Sequence, residues 1–405
     1  MIEKHTLPYH VIVGGHICLD IIPSIHNGPF HMVPGKLLNV GEAILATGGA
    51  VANTGIALHR LGMPVRLMGK VGTDIFGEVI LSLIRREHES LAEGMIVTEG
   101  ESSSYTIVLS PLKVDRMFLH CTGANDTFGA EDVSKRTLEE AGLFHFGYPP
   151  LMRRMYEQGG CELAALMQRA KAAGTTTSLD MAKPDANSLA GHVDWREVLR
   201  NVLPSVDLFL PSVEEILYML HKKRYEEMVE KYGSEHIMDR IGPDLLQELS
   251  AELLGMGAAV VVLKLGEHGL YMRSTAEPAR LDNMGRYRPE RLTDWLGREL
   301  LVPCFIVETA GTTGAGDCTI AGFLSAFMQG MTPEESLIMA VGTGACNVER
   351  PDATSGIPTW EEVASRIDSG WQQHVSKIAR SGYHPKVHGP ASVFHGNGDT
   401  IRVND

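Results

Sequence analysis

The stretch GTTGAGDCTIAGFLSAFMQG, residues 311 to 330, runs from small residues straight into a helix whose apolar positions include Ile320, Phe323, Leu324 and Phe327. Gly314, Ala315 and Gly316 leave the backbone uncovered at the helix start. Their N–H groups can therefore face an anion, and the helix dipole adds to the attraction. Asp317 follows in the first turn. A carboxylate there can take the proton of an attacking hydroxyl while the amides stabilise a transferring phosphoryl group. The plainer reading of the same residues is a Gly-rich helix start with a dipole-favoured surface aspartate. No Lys followed by Ser or Thr closes the run, so it is not a P-loop, and a dinucleotide fingerprint would belong near the first strand.

Around this segment, short apolar runs alternate with helical patterns of crossover length, which predicts a mostly parallel sheet with helices on both faces. Strands are expected at 10–20, 65–71, 143–147, 175–181, 206–210, 258–265, 269–273 and 304–308. A helix over about 50–61 stops at Gly62 with Pro64 beyond it, and another opens on the capping box Thr332-Pro333-Glu334-Glu335. Residues 21–47 and 98–125, rich in Gly, Pro, Ser, Thr and His, fit a small separate sheet acting as a lid. Residues 221–243 and 274–302 fit insertions within one large domain of residues 1–373, and the tail 374–405 is expected to pack loosely.

Composition narrows the function. The 405 residues are 44% hydrophobic and 21% charged, with a formal net charge of -14 and no basic stripe, so a nucleic-acid partner is not expected. Six scattered cysteines without CxxC spacing fit reduced thiols. The N-terminal apolar run is broken by Gly14, Gly15 and His16, so neither a signal peptide nor a membrane anchor is expected, and the cytoplasm is the expected compartment. No run reaches the roughly 18 apolar residues of a membrane helix. The histidines show no HxxxH or HExxH pattern, and there is no GxSxG elbow.

TTGAGD before an apolar helix resembles the C-terminal signature DTxGAGD of the ribokinase-like (PfkB) carbohydrate kinases. GGAVANTGIALHRLGMPVRLMGKVGTDIFGE, residues 48 to 78, is similar to the same family's N-terminal signature, and the likeness covers most of residues 9 to 370. It implies a three-layer α/β ribokinase-like fold with a β lid, dimerisation through that lid, and transfer of the ATP γ-phosphoryl group to a hydroxyl of a sugar or sugar acid. By that resemblance Asp317 is the base, Gly314 to Gly316 form the anion hole, and Asp20, Gly48, Gly49 and Asn53 bind substrate. For ATP it implies Lys264, Gly266 and Gly269, in VVVLKLGEHGLYM (260–272), and Ser212. Glu215, in FLPSVEEI (209–216), would act on Mg²⁺ through water, although Ser212 and Glu215 also read as a capping box. Gly311 replaces the first Asp of the signature, and Asp352 stands where glycine is common before ATSGIP (353–358). That puts a monovalent-cation site in doubt. HFGYPP (145–150) and SLDMAKPD (178–185) lie at strand ends where open α/β sheets bind ligands, and Asp180 is equally a turn residue. Two rivals stand beside the sugar kinase: a nucleoside kinase, against which the lid offers only Phe30, Tyr105 and Phe118 as aromatics, and a catalytically silent sugar-binding homologue.

Overall fold

Val260 to Leu263 in VVVLK are buried on both sides of the chain, as a central strand requires. Val260 and Val262 face one apolar core and Val261 and Leu263 the other, so this strand divides two helical layers. The computed structural model describes residues 9–25, 34–110, 117–380 and 382–400. Its strands in chain order are β1 (Tyr9–Gly15), β2 (Cys18–Pro23), β3 (Ala43–Gly48), β4 (Val65–Met68), β5 (Lys70–Gly72), β6 (Ile96–Thr98), β7 (Tyr105–Leu109) and β8 (Met117–Cys121). They continue with β9 (Ala141–Gly147), β10 (Thr176–Leu179), β11 (Leu208–Phe209), β12 (Val260–Lys264), β13 (Leu270–Ser274), β14 (Glu299–Val302), β15 (Tyr383–His388) and β16 (Ala391–Gly396).

The main sheet runs β15-β16-β14-β13-β12-β11-β10-β9-β1-β4. From β4 to β12 every pairing is parallel, and from β12 to β15 every pairing is antiparallel. Helices Ala50–Arg60, Ala315–Met328 and Pro333–Asn347 cover one face. Helices Cys161–Ala172, Trp195–Val202, Val213–Leu220 and Pro243–Gly255 cover the other. A second sheet, β3-β2-β7-β8, forms from the segments expected outside the main one. Phe30 lies outside the described residues. No helix among the described residues is long and apolar enough to cross a membrane.

Four expectations need correction. The 10–20 run is two strands, because Gly15 (φ +126°) turns the chain where a Cβ would meet the Gly147 carbonyl at 2.2 Å. The 65–71 run also divides, β4 joining the main sheet and β5 pairing with β6. No strand forms at 304–308: Pro303 cannot donate to a ladder, and Phe305 instead stacks on Trp371 at 4.5 Å. The strand is β14, at the end of the supposed 274–302 insertion.

The tail is not loose. Residues 383–396 form a hairpin whose second strand pairs with β14, and Tyr383, Ala391, Val393 and His395 are buried in it. The fully buried Arg298 ties this region down, with its Nε 2.8 Å from Asp399 Oδ1 and a second ion pair to Glu334.

Candidate active site

Helix Ala315–Met328 begins where Gly314 adopts φ +72° and turns the chain inward. A Cβ on Gly314 would sit 2.7 to 2.9 Å from backbone and side-chain atoms of Ala353, so the packed 351–358 loop accepts only glycine there. The first intrahelical bond is Cys318 N–H to Gly314 C=O. The amides of residues 315 to 317 precede it, and that of Ala315 leans back on Thr312 C=O at 3.4 Å. Gly316 and Asp317 therefore carry the donors best placed for an anion.

The Asp317 carboxylate is buried beneath this turn and is fixed from three sides. Asn53 Nδ2 donates to it at 3.0 Å, Thr54 Oγ1 at 3.2 Å, and the Tyr148 hydroxyl lies 2.8 and 2.9 Å from its two oxygens. Asn53 and Thr54 project from the first turn of helix Ala50–Arg60. Tyr148 follows β9 in a left-handed conformation (φ 64°) just before Pro149 and Pro150, which is uncommon for a non-glycine residue. Burial and the neighbouring Asp317 charge push the tyrosine well above its ordinary pKa, so it stays a donor.

Asp20 on β2 points at the end of β3. A Cβ on Gly48 would come within 2.4 to 2.7 Å of the Asp20 carboxylate, and one on Gly49 (φ +89°) within 2.6 Å of the His16 ring. The paired glycines thus let the helix Ala50–Arg60 start against these side chains. Burial raises the Asp20 pKa, while bonds from Cys18 and Thr106 oppose the shift. His16 is buried beside them, its Nε2 3.3 Å from His120 Nε2 on β8 and its ring 6.2 Å from that of Tyr148.

A second group of charges lies beside Gly316. Lys264, at the end of β12, has its Nζ 2.7 Å from Asp180 Oδ1 and 3.6 Å from the position of a Cβ on Gly316. Asp180, fully buried just after β10, belongs to the site and not to a turn. Glu215 and Ser212 form the expected capping box, with Ser212 N–H donating to Glu215 Oε2 at 2.7 Å. Burial pushes Asp180 and Glu215 above the usual carboxylate range, against the pull of Lys264. Burial alone would lower Lys264, but Asp180 and Glu215 outweigh it and raise it. Three carboxylates, Asp180, Glu215 and Asp317, face one ammonium. Such an oxygen-rich cluster suits a hydrated divalent cation beside the free amides of the glycine turn.

Gly266 (φ +55°) opens onto free space, whereas a Cβ on Gly269 would strike Val302 C=O at 1.9 Å. Gly269 is therefore needed for the β12–β13 turn itself. Gly311 sits against Pro351, and Asp352 spends its carboxylate on the Thr354 and Ser355 amides. Arg60, paired with Glu87, donates to the Thr354 carbonyl in the same loop.

Sequence reasoning missed Thr54, His16 and Arg60, and it placed HFGYPP at a ligand-binding strand end without naming Tyr148. A hydroxyl following Asn53 was the signal for Thr54.

Residues 11–360 match the profile of the pfkB family carbohydrate kinases. The chain is similar to a protein of Archaeoglobus fulgidus named as an uncharacterized sugar kinase, 25% identical over 303 residues, 75% of this chain and 98% of that one. It is also similar to the 2-dehydro-3-deoxygluconokinase of Bacillus subtilis, 23% identical over 359 residues, 85% of this chain and 93% of that one. Its fold resembles that of a putative ribokinase II from E. coli, solved with ATP and Mg²⁺, with TM-score 0.64, 22% identity, and coverage of 89% of this chain and 99% of the other.

Removing the partner of a buried carboxylate typically costs about 3–5 kcal/mol. Lys264→Ala is expected to lower the thermal midpoint for that reason, and more at pH 8 than at pH 5. The sign follows from proton linkage: with a folded-state pKa above the unfolded one, Asp180 binds its proton more tightly when folded, so stability falls as pH rises through that window. Thermal scans of the variant at both pH values, against the parent, give the comparison, and an equal loss at both would exclude Asp180 as the affected group.

Proposed function

The chain belongs to the PfkB family of carbohydrate kinases, ATP-dependent phosphotransferases, and from that premise we propose that Asp317 is the general base that activates a sugar or sugar-acid hydroxyl, most naturally a primary one. The observation that carries this reading is the buried Asp317 carboxylate, anchored by Asn53, Thr54 and Tyr148 and set under the glycine turn 314–316. Such anchoring holds a base within hydrogen-bond reach of an incoming hydroxyl without a reorganisation cost.

Asp20, Gly48, Gly49 and Asn53 would bind the acceptor's hydroxyls. The geometry adds that Asn53 also orients the base, while His16 and His120 line the approach from the small sheet. On the other side, Lys264 and the amides of 314–316 would meet the phosphates, with Ser212, Gly266 and Gly269 along the nucleotide. Mg²⁺ would be held through water by Glu215, with Asp180 adding charge. When bound, that ion neutralises phosphate oxygens during in-line transfer. Closure of the small sheet over the site would exclude water.

Asp317→Asn keeps the shape of the side chain and removes its basicity. Turnover is expected to fall by ~10²- to 10⁴-fold, the usual contribution of a general base. ATP affinity, measured by calorimetry, is expected to stay within a few-fold. Near-normal turnover in this variant would end the assignment.

Of the described small-sheet aromatics, Tyr105 packs on Phe76 at 5.2 Å while Phe118 on β8 stays exposed, so the sugar or sugar-acid reading is supported by the relatives rather than by a lack of ring surface. The site also lacks the usual acid at Gly311, its Asp352 is engaged locally, and the Arg60 guanidinium already reaches the Thr354 carbonyl. Those features support turnover without added K⁺. ATP consumption with sugars, sugar acids and nucleosides, each with K⁺ and with K⁺ replaced by tetramethylammonium, tests both points. Activity confined to nucleosides, or lost without K⁺, would overturn the respective half, and a ligand-induced thermal shift with no turnover on any acceptor would indicate a silent binding protein.

Dimerisation through the small sheet is supported by its edges. Ile44 and Leu45 on β3 and Met117 and Leu119 on β8 are exposed apolar side chains on strands with open sides. Ile44→Lys is expected to convert a dimer into a monomer in light scattering coupled to gel filtration, and a parent protein that is already monomeric would remove the proposal.

A further inference from the structure

The hairpin that completes the main sheet brings two imidazoles to the start of helix Pro333–Asn347. His388 closes β15, His395 lies on β16, and Glu334 is the second residue of the helix. One ligand-capable atom from each of the three lies within 4.8 Å of the others. His388 Nε2 is 3.9 Å from Glu334 Oε1.

Two features set this group apart from an ordinary cluster of polar side chains. First, Nε2 of His388 and Nε2 of His395 are both buried atoms without a hydrogen-bond partner, and the His395 residue as a whole is only 3% exposed. A buried polar atom left without a partner is unfavourable, so two together point to a missing ligand. Second, the outer contacts are already set. His395 Nδ1 lies 2.9 Å from Asp399 Oδ2, and an ionised carboxylate only accepts, so Nδ1 carries a hydrogen and, in the neutral imidazole, Nε2 is the nitrogen with the free lone pair. A carboxylate behind a histidine in this way is the arrangement that orients metal-binding imidazoles. Arg298 in turn bonds Asp399 and Glu334, offsetting one of the two carboxylates and leaving one negative charge for an incoming cation.

We propose that Glu334, His388 and His395 form a Zn²⁺-binding site that fastens the C-terminal hairpin to the helix Pro333–Asn347. Two imidazole nitrogens and one carboxylate oxygen, with solvent in the fourth position, are a donor set that suits this borderline divalent ion. In a tetrahedral site such nitrogens stand roughly 3.3 Å apart, so binding draws the two rings together. His388, the more exposed of the pair, supplies most of that movement. Two other groups, His221 with Glu248 and Glu252, and His268 with Asp239 and Glu267, have similar spacing. His221 already uses its Nε2 in a 2.6 Å bond to Glu252, and neither group holds an orphaned nitrogen.

The test uses the full-length chain without a histidine tag, with Mg²⁺ in excess to hold the acidic kinase site. After incubation with ZnCl₂ and gel filtration, elemental analysis is expected to find one zinc per chain, and the thermal midpoint is expected to rise with Zn²⁺ and return with a chelator. His388→Ala and His395→Ala are each expected to weaken zinc binding at least ~10-fold, the lower end of what outer contacts alone contribute. His388 is partly exposed, so its variant decides the matter if His395→Ala does not fold. No retained zinc in the parent, or retention unchanged in His388→Ala, would overturn the proposal.

Discussion

The buried carboxylate of Asp317 is the contact on which the arrangement of the site depends. It joins three parts of the chain that are far apart in sequence: the helix Ala50–Arg60 through Asn53 and Thr54, the end of β9 through Tyr148, and its own helix at the glycine turn. A carboxylate out of water is costly unless its lone pairs are filled. Here the groups that fill them also fix where the carboxylate points. The bonds that make its burial tolerable are the ones that orient it. Tyr148 bridges both oxygens, so an acceptor hydroxyl approaching Asp317 would have to share or displace that bond.

A second constraint acts alongside it. Asp180 is fully buried, Lys264 and Glu215 are partly buried beside it, and the Asp180 carboxyl would be costly there without the ammonium. Lys264 opposes the upward shift that burial imposes on the two carboxyl groups while standing close to the glycine turn. The site therefore has a basic compartment around the glycine amides and an acidic one a few ångströms away, a polarity that matches a phosphate chain carrying a divalent ion.

What was legible in the sequence was what depends on local backbone chemistry. The glycine turn at 314–316, the capping boxes at Ser212 and Thr332, and the alternation of buried strands with helices are written in neighbouring residues, and each appears in the fold. The small sheet was visible for the same reason, since its segments carry a different composition. Thr54 and Tyr148 were not legible, because their roles exist only once residues almost 170 and more than 260 positions away are folded against them. β14 was misplaced because four buried residues after a polar stretch, followed by Pro303, give less signal than the apolar run beyond the proline.

The tail shows the same limit from the opposite side. Its sequence, YHPKVHGPASVFHG, has two prolines, three histidines and few large apolar groups, and by composition it describes a loop. Pro385 is nevertheless tolerated because β15 is the outer edge of the sheet, where a missing donor faces away from a neighbour. β16 is held through Val393 and through the Arg298–Asp399 pair, neither of which a local pattern can announce. Arg298 is itself fully buried and immediately precedes β14. The strand the sequence obscured and the hairpin it made look loosely packed are thus stabilised by one shared ion-pair network, and an error about either element entails an error about the other.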